Sequence, residues 1–219
     1  MAARDRHRTL PSERWTQTTA VTFAQFARPR LPAAATPAYP GGTASTLQAG
    51  PRPANNRRVH LRSKILRLED LAGWRAAKRA AGKRVVATNG CFDLLHAGHV
   101  TYLEAARNLG DALLVGLNGD ASVCALKGPG RPLNPEQDRA TVLAALEAVD
   151  AVCVFPEVDA LNFLRLAKPD IYAKGGDYTI DTINQEERRL VESWGGCVAV
   201  VSGVPGRSTT SLLERIHRD

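Results

Sequence analysis

The chain of 219 residues lacks the sequence features of several large protein classes. It contains no run of about 18 apolar residues and no secretory signal, so we expect neither a membrane span nor secretion. A G-x-x-x-x-G-K-[ST] loop is missing, which argues against the common kinases and ATPases. No G-x-G-x-x-G follows the first predicted strand and no G-x-S-x-G elbow occurs, which argues against dinucleotide-binding dehydrogenases and α/β-hydrolases.

Cysteine is scarce and scattered. There is no C-x-x-C pair and no spacing typical of a zinc site or a disulfide framework among Cys91, Cys124, Cys153 and Cys197. We predict that these are small apolar core residues in a reducing compartment, and therefore that the protein is cytoplasmic. Cys91 differs because it lies in a polar turn, where we expect it to line a site without acting as a nucleophile.

Acidic residues are almost absent from the first 60 residues, which hold nine arginines, no lysine and two acidic residues, a net charge of +7. Residues 61–219 are balanced, with 20 basic and 20 acidic residues. Dense proline and no sustained periodicity predict that residues 1–60 are a disordered extension and that residues 61–219 form the folded domain. Because the positive charge belongs to the extension, we expect no nucleic-acid binding by that domain. An organellar transit peptide is the alternative interpretation of the extension.

Apolar periodicity alternates between helix and strand along residues 61–219. The predicted helices cover residues 66–81, 99–109, 121–126, 135–147, 160–166, 186–194 and 208–217, and the predicted strands cover residues 85–88, 112–117, 151–155, 171–174 and 197–201. In helix 135–147 we expect Val142, Leu143 and Leu146 to face inward. Alternation at this spacing predicts an α/β fold with a doubly wound parallel sheet.

Two histidines stand where the first of these strands meets the next helix, in the segment His96-Ala97-Gly98-His99. The carboxyl ends of parallel strands form the crevice of such a sheet, and free N–H groups at a helix start attract phosphate. The small Ala97-Gly98 pair leaves room for an anion between two imidazole donors. The segment therefore predicts a phosphate site.

Four further segments reach the same edge of the predicted sheet: residues 118–120, 127–131, 174–178 and 206–210. Lys127 and Arg131 are candidates for a movable clamp on a triphosphate, or alternatively solvated loop residues. The Gly175-Gly176 pair allows close approach of a flat ligand, or alternatively only a turn. The Ser208-Thr209-Thr210 run fits a helix cap and an anion site alike. Together these segments favour phosphoryl or nucleotidyl transfer without a covalent intermediate.

His96-Ala97-Gly98-His99 resembles the H-x-G-H motif of the nucleotidyltransferase superfamily, which includes the cytidylyltransferases. Residues 66–217 are more specifically similar to the bacterial D-glycero-β-D-manno-heptose 1-phosphate adenylyltransferase domains. That similarity is carried by TNGCFDLLHAGH at residues 88–99, LKG at residues 126–128, KGGDY at residues 174–178 and STT at residues 208–210. It implies a Rossmann-like nucleotidyltransferase fold.

The resemblance implies that ATP and a sugar 1-phosphate react to give an ADP-sugar and pyrophosphate, with Mg²⁺ bridging the phosphates. Its implied catalytic residues are His96, His99 and Lys127. Its implied nucleotide-binding residues are Thr88, Asn89, Gly90, Phe92, Asp120, Arg139, Gly175, Gly176, Asp177, Ser208, Thr209 and Thr210. Asp93 is interpreted as a turn-stabilising residue, or alternatively as a residue that orients the reacting groups. No dedicated metal-binding residues are implied.

The resemblance also implies partners. We expect a separate heptose kinase in the same pathway, because no kinase sequence is found here, and a homodimer or larger homo-oligomer. Two alternatives stay open at this stage. One is a cytidylyltransferase acting on a small phosphorylated alcohol such as glycerol phosphate or ethanolamine phosphate. The other is a non-catalytic nucleotide-binding protein.

Overall fold

The structure, a computed structural model, describes residues 61–176 and 178–202. Within them, six parallel strands form one sheet in the order β1-β4-β3-β2-β5-β6. The strands are β1 (Ile65–Leu66), β2 (Val85–Gly90), β3 (Ala112–Asn118), β4 (Ala151–Phe155), β5 (Ile171–Gly176) and β6 (Cys197–Ser202). The predicted doubly wound, Rossmann-like parallel sheet is thereby confirmed.

The helices cover both faces of this sheet. They are α1 (Leu61–Lys64), α2 (Leu71–Ala80), α3 (Ala97–Arg107), α4 (Asp120–Lys127), α5 (Glu136–Ala145), α6 (Leu161–Ala167) and α7 (Gln185–Ser193), with a 3-10 turn at Leu68–Asp70. On one face, α3 and α5 pack Leu103 and Leu143 against Leu113 and Val115 of β3. On the other face lie α2, α6 and α7. None of the helices in the described ranges is long and apolar enough to cross a membrane.

The strand order places a topological switch point at β2. The chain passes from β2 to β3 and β4 on one side of β2, and then crosses to β5 and β6 on the other side. In open α/β sheets, ligands bind in the crevice outside the carboxyl ends of the strands at this point. The carboxyl ends of β2 and β5 are therefore the expected walls of a ligand site.

Three local predictions were wrong. The predicted helix 66–81 begins later, because Leu66 pairs with Cys153 as the short edge strand β1. Val142, expected inside, is 50% exposed, because the face of α5 that packs on the sheet is formed by Arg139, Ala140, Leu143 and Ala144. Of the four cysteines, Cys153 alone is buried, while Cys91 is half-buried and Cys124 and Cys197 are exposed.

Other predictions fall outside the described residues. These are the disordered extension over residues 1–60 and the helix over residues 208–217. The domain boundary at residue 61 stays a prediction as well.

Candidate active site

His96 and His99 meet at the amino terminus of α3. His96 is the N-cap residue in an extended conformation, and its carbonyl accepts the N–H of His99 at 2.9 Å. Residues three apart lie on one side of a helical turn. The two imidazole rings consequently stack, with ring centroids 3.9 Å apart and an angle of 25° between the planes. The sequence prediction that both rings serve one site agrees with this geometry.

The His99 imidazole is held in its neutral form. Its pKa is lowered to about 4, mainly because burial disfavours the charged ring and also because His96 is adjacent, while a hydrogen bond with the Leu94 backbone acts in the opposite direction. Phe92 contributes to the apolar surroundings, with its ring centroid 5.3 Å from that of His99. An anion bound at the nitrogen-bearing edges of the rings would oppose both effects and favour protonation.

A strained turn links β2 to the histidines. Phe92 has a φ of 42°, in the left-handed region that aromatic residues rarely adopt, and its side chain is buried. Gly90 permits this arrangement, because a Cβ there would stand 3.0 Å from the Phe92 ring. The structure thus shows that Gly90 and Phe92 shape the turn. Their predicted contact with a nucleotide stays a prediction.

Asp93 fastens that turn to the loop that follows α4. Its carboxylate accepts the N–H groups of Leu133 at 2.7 Å and Asn134 at 3.2 Å, and it pairs with Arg131 at 2.6 Å. This agrees with the interpretation of Asp93 as turn-stabilising. It also corrects the interpretation of Arg131 as part of a movable clamp, because its guanidinium is anchored. Lys127, at the end of α4, is exposed and has no such anchor among the contacts of the described residues.

The positive charge of Lys127 also acts on the Cys91 thiol in the turn. Burial raises the pKa of Cys91 by more than the nearby positive charges of Lys127 and Arg139 lower it. The thiol is therefore protonated at neutral pH. This supports the expectation that Cys91 is no nucleophile.

Arg139 holds three segments of the site together. Its buried guanidinium donates to the carbonyl oxygens of Asn134 at 2.9 Å, Cys91 at 2.6 Å and Asn118 at 2.9 Å, and it pairs with Asp120 at 2.6 Å. Four N–H groups are thereby used within the protein. Sequence reasoning placed Arg139 and Asp120 against the nucleotide. The structure assigns Arg139 a positioning role for the ends of β2 and β3, and nucleotide contacts of the pair stay a prediction.

Thr88 and Gly175 are used for internal packing. The Thr88 hydroxyl is 2.7 Å from the Tyr102 hydroxyl, which donates to the Ala173 carbonyl at 3.0 Å. A Cβ on Gly175 would overlap the Tyr102 ring. The side chain of Thr88 is therefore buried and hydrogen-bonded within the protein, and its contact with a nucleotide stays a prediction. The absence of a side chain at Gly175 leaves room for the Tyr102 ring, and Gly176 ends β5 beside Ser202. Contact of either glycine with a nucleotide stays a prediction.

A polar cluster that sequence reasoning did not identify lies at the ends of β2 and β5. The Lys174 amine donates to Asn89 Oδ1 at 2.8 Å and pairs with Glu187 at 3.1 Å. The Tyr172 hydroxyl lies 2.5 Å from Asn89 Oδ1 and 2.7 Å from Glu187 Oε2. Asn89 was predicted from the resemblance. Glu187 lies 13 residues beyond Lys174 in the sequence, on α7 rather than on β5, so no local pattern in the sequence indicated the pair.

Several predicted residues cannot be placed. Asp177, Ser208, Thr209 and Thr210 lie outside the described residues, and their roles stay predictions. Within residues 61–176 and 178–202, no group of three or more histidine, cysteine, aspartate or glutamate side chains is arranged to hold a metal ion. The resulting site combines two stacked imidazoles at the start of α3, the exposed Lys127 at the end of α4, and a turn that Asp93 and Arg139 hold in place. It is suited to binding phosphates and stabilising charge on them.

A Rossmann-like parallel sheet with paired histidines at the helix start after its central strand defines the nucleotidyltransferase class. The sequence model of the cytidylyltransferase-like family matches residues 87–211, more than half of the chain. The chain belongs to this family. The match includes both histidines, Lys127, Arg139 and Lys174.

Similar proteins cover the same region. The chain is 54% identical over 153 residues to a "Bifunctional protein HldE" of Methylobacillus flagellatus, and 55% identical over 154 residues to a protein of that name from Pelobacter propionicus. Each match covers 70% of this chain and 31% of the relative, so the chain spans about a third of the length of these relatives. A solved structure, "lipopolysaccharide core biosynthesis protein from Thermoplasma volcanium", is 29% identical with a TM-score of 0.47, covering 56% of this chain and 98% of the other.

Proposed function

We propose that this protein transfers the adenylyl group of ATP to a sugar 1-phosphate, D-glycero-β-D-manno-heptose 1-phosphate, and releases pyrophosphate. The observation that carries the proposal is the stacked His96–His99 pair at the amino terminus of α3, beside the switch point of the sheet. At this position, the free N–H groups of the helix start and the two imidazoles can all interact with the negative charge that develops on a reacting phosphate.

The reaction needs no covalent enzyme intermediate. An oxygen of the sugar phosphate attacks the α-phosphorus of ATP in line, the new P–O bond forms, and the bond from the α-phosphorus to the bridging oxygen breaks as pyrophosphate leaves. The protein's part is to position the reactants and to stabilise the charge that builds up. His96 and His99 act on the α-phosphate, and Lys127 neutralises the leaving phosphates. The braced Asp93 and Arg139 keep these parts in register.

The heptose as substrate is supported by the motifs at residues 88–99 and 174–178 and by about 54% identity to relatives named HldE. The word bifunctional in that name implies a second activity in those longer proteins. We propose that a heptose kinase activity supplies the phosphorylated sugar. A homodimer or homo-oligomer and a cytoplasmic location remain part of the proposal.

Mg²⁺ is the expected cofactor, bound together with ATP. The carboxylates nearest the turn fit a metal carried mainly by the phosphates, because Asp93 and Asp120 are each already paired with an arginine. When bound, the ion would neutralise phosphate charge and make pyrophosphate a better leaving group.

The test is a grid of substrates with the full-length protein and Mg²⁺, read as pyrophosphate released per minute. ATP and CTP are each combined with the heptose 1-phosphate, glycerol 3-phosphate and ethanolamine phosphate. The proposal predicts release with ATP and the heptose phosphate, and much less with every other pair. Release that depends on CTP and glycerol phosphate or ethanolamine phosphate would support the cytidylyltransferase alternative instead.

A further inference from the structure

Lys174 is a buried amine for which the proposed chemistry has not yet given a use. Its side chain is 13% exposed at the carboxyl end of β5. Burial lowers its pKa, while the Glu187 carboxylate acts in the opposite direction. An apolar side chain of similar size would fill this position at a lower cost of desolvation. The presence of a lysine therefore calls for a reason beyond packing.

The charge of Glu187 does not by itself explain why a lysine stands at position 174. The Glu187 carboxylate has its own structural partners, since it accepts the Ala160 N–H at 3.0 Å and lies 2.7 Å from the Tyr172 hydroxyl. It thereby ties α7 to α6 and β5. An ammonium group has three N–H donors, and the described residues offer Lys174 two acceptors, Asn89 and Glu187. The amine also lies 4.7 Å from the centroid of the Tyr172 ring, but its third N–H has no oxygen or nitrogen acceptor among the described residues.

The Lys174 amine lies at the edge of the sheet where ligands are expected to bind. Asn89 is the last residue but one of β2, and Lys174 lies near the end of β5, which pairs with β2 at the switch point of the sheet. Side chains alternate along a strand, so Asn89 and Lys174 lie on the same face as Ala87 and Tyr172, which pack with α6 and α7. The ring of His99 contacts Phe92, which packs with α3 on the other face. The cluster thus lies across the sheet edge from the histidines.

The charges of Lys174 and Glu187 indicate which kind of ligand the cluster would bind. Lys174 and Glu187 form an ion pair 3.1 Å apart, so the cluster is nearly neutral and suits an uncharged group better than a phosphate. Beside it, the half-exposed ring of Tyr178 lies 5.9 Å from the Lys174 amine and offers a flat apolar face. Polar donors next to an aromatic face are suited to a sugar, which presents hydroxyl oxygens and a C–H surface.

We infer that Lys174, oriented by Asn89 and Glu187, donates a hydrogen bond to a sugar hydroxyl of one of the two substrates. This inference rests on the proposed function. The hydroxyl belongs either to the sugar 1-phosphate or to the ribose of ATP. Both present the same chemistry, and they are distinguished by which Michaelis constant changes.

The experiment compares full-length wild type with Lys174→Met and the charge-neutral double variant Lys174→Met/Glu187→Gln. Lys83→Met is the matched control, since Lys83 is exposed before β2, at the opposite end of the sheet. The double variant leaves no uncompensated buried charge, and circular dichroism verifies the fold of each protein. kcat and KM are measured separately for ATP and for the heptose 1-phosphate.

The inference predicts that KM for one substrate rises roughly 10- to 100-fold, with little change in kcat or in the other KM. A rise in KM for the sugar phosphate would show that Lys174 binds a hydroxyl of the sugar 1-phosphate. A rise in KM for ATP assigns the ribose, and then wild type, unlike the variant, discriminates against 2′- or 3′-deoxy-ATP. Unchanged Michaelis constants in the folded variants would overturn the inference while leaving the proposed function intact. Absence of turnover by wild type would overturn both.

Discussion

The imidazole rings of His96 and His99 stack 3.9 Å apart at the first turn of α3, and this contact, with burial, keeps the His99 ring neutral. Two cations in this arrangement would repel each other. An anion bound at the edges of the rings would offset that penalty. The pair is therefore poised to take up positive charge only when phosphate is present.

Replacing either histidine is expected to remove most of the activity while preserving the fold. His96→Ala and His99→Ala should each lower kcat by roughly 100-fold or more, because a donor aimed at the developing charge is lost. Val100→Ala, an exposed position on the same turn, serves as control and should retain activity. Steady-state pyrophosphate release measures the effect, and full activity in both histidine variants would show that the catalytic site is elsewhere.

The depressed pKa of His99 predicts a pH dependence of stability. Between about pH 4 and its ordinary pKa of 6.5, His99 binds a proton in the unfolded chain and not in the folded one. The free energy of unfolding should consequently fall as the pH drops through this window. In His99→Gln that fall should be smaller, as measured by urea denaturation at pH 7 and pH 5. An equal loss of stability in both proteins would contradict the neutral, buried ring.

Arg139 is expected to matter for stability as much as for activity. Arg139→Met leaves the carbonyls of Cys91, Asn118 and Asn134 and the Asp120 carboxylate without their donor. We expect a loss of about 3–5 kcal/mol in the free energy of unfolding. Arg79→Met, at an exposed position on α2, should change it by about 0.5 kcal/mol or less. A loss of activity at unchanged stability would instead indicate direct contact of Arg139 with the nucleotide.

Gly175 provides a test of packing inside the site. Gly175→Ala should push the Tyr102 ring out of place and break its hydrogen bonds to Thr88 and Ala173, at a cost of about 1–3 kcal/mol. A Cβ on Gly73 in α2 meets nothing, so Gly73→Ala should leave stability unchanged or increase it. Adding Tyr102→Leu to Gly175→Ala should give a less than additive loss in urea denaturation. Strict additivity would show that the two residues do not interact.

The sheet could be predicted from the sequence because its signals are local. Unbroken apolar runs such as residues 112–117 and 151–155 are typical of buried strands when they lie between helices, and the structure confirms them within one or two residues. The edge strand β1 escaped prediction because two residues carry no periodicity, and pairing with β4 gives them their conformation. Val142 was misplaced because Arg139, a charged residue, occupies the inward face of α5.

The meeting of His96 and His99 could also be predicted from the sequence, because they lie three residues apart at a strand-to-helix junction. Phosphate binding by this pair stays a prediction. The contacts that hold the site together could not be predicted from the sequence. Arg139 reaches Cys91 across 48 residues and Asp93 reaches Leu133 across 40, and sequence spacing does not encode such contacts. The pairing of Lys174 with Glu187 likewise depends on how α7 packs against β5.

The most direct test of nucleotidyl transfer is the identity of the products formed by the full-length protein from ATP, Mg²⁺ and D-glycero-β-D-manno-heptose 1-phosphate. Mass spectrometry and ³¹P NMR should show ADP-heptose and pyrophosphate in equal amounts, with both products lost in His99→Ala. Formation of ADP or of free AMP in place of ADP-heptose would contradict attack by the sugar phosphate on the α-phosphorus.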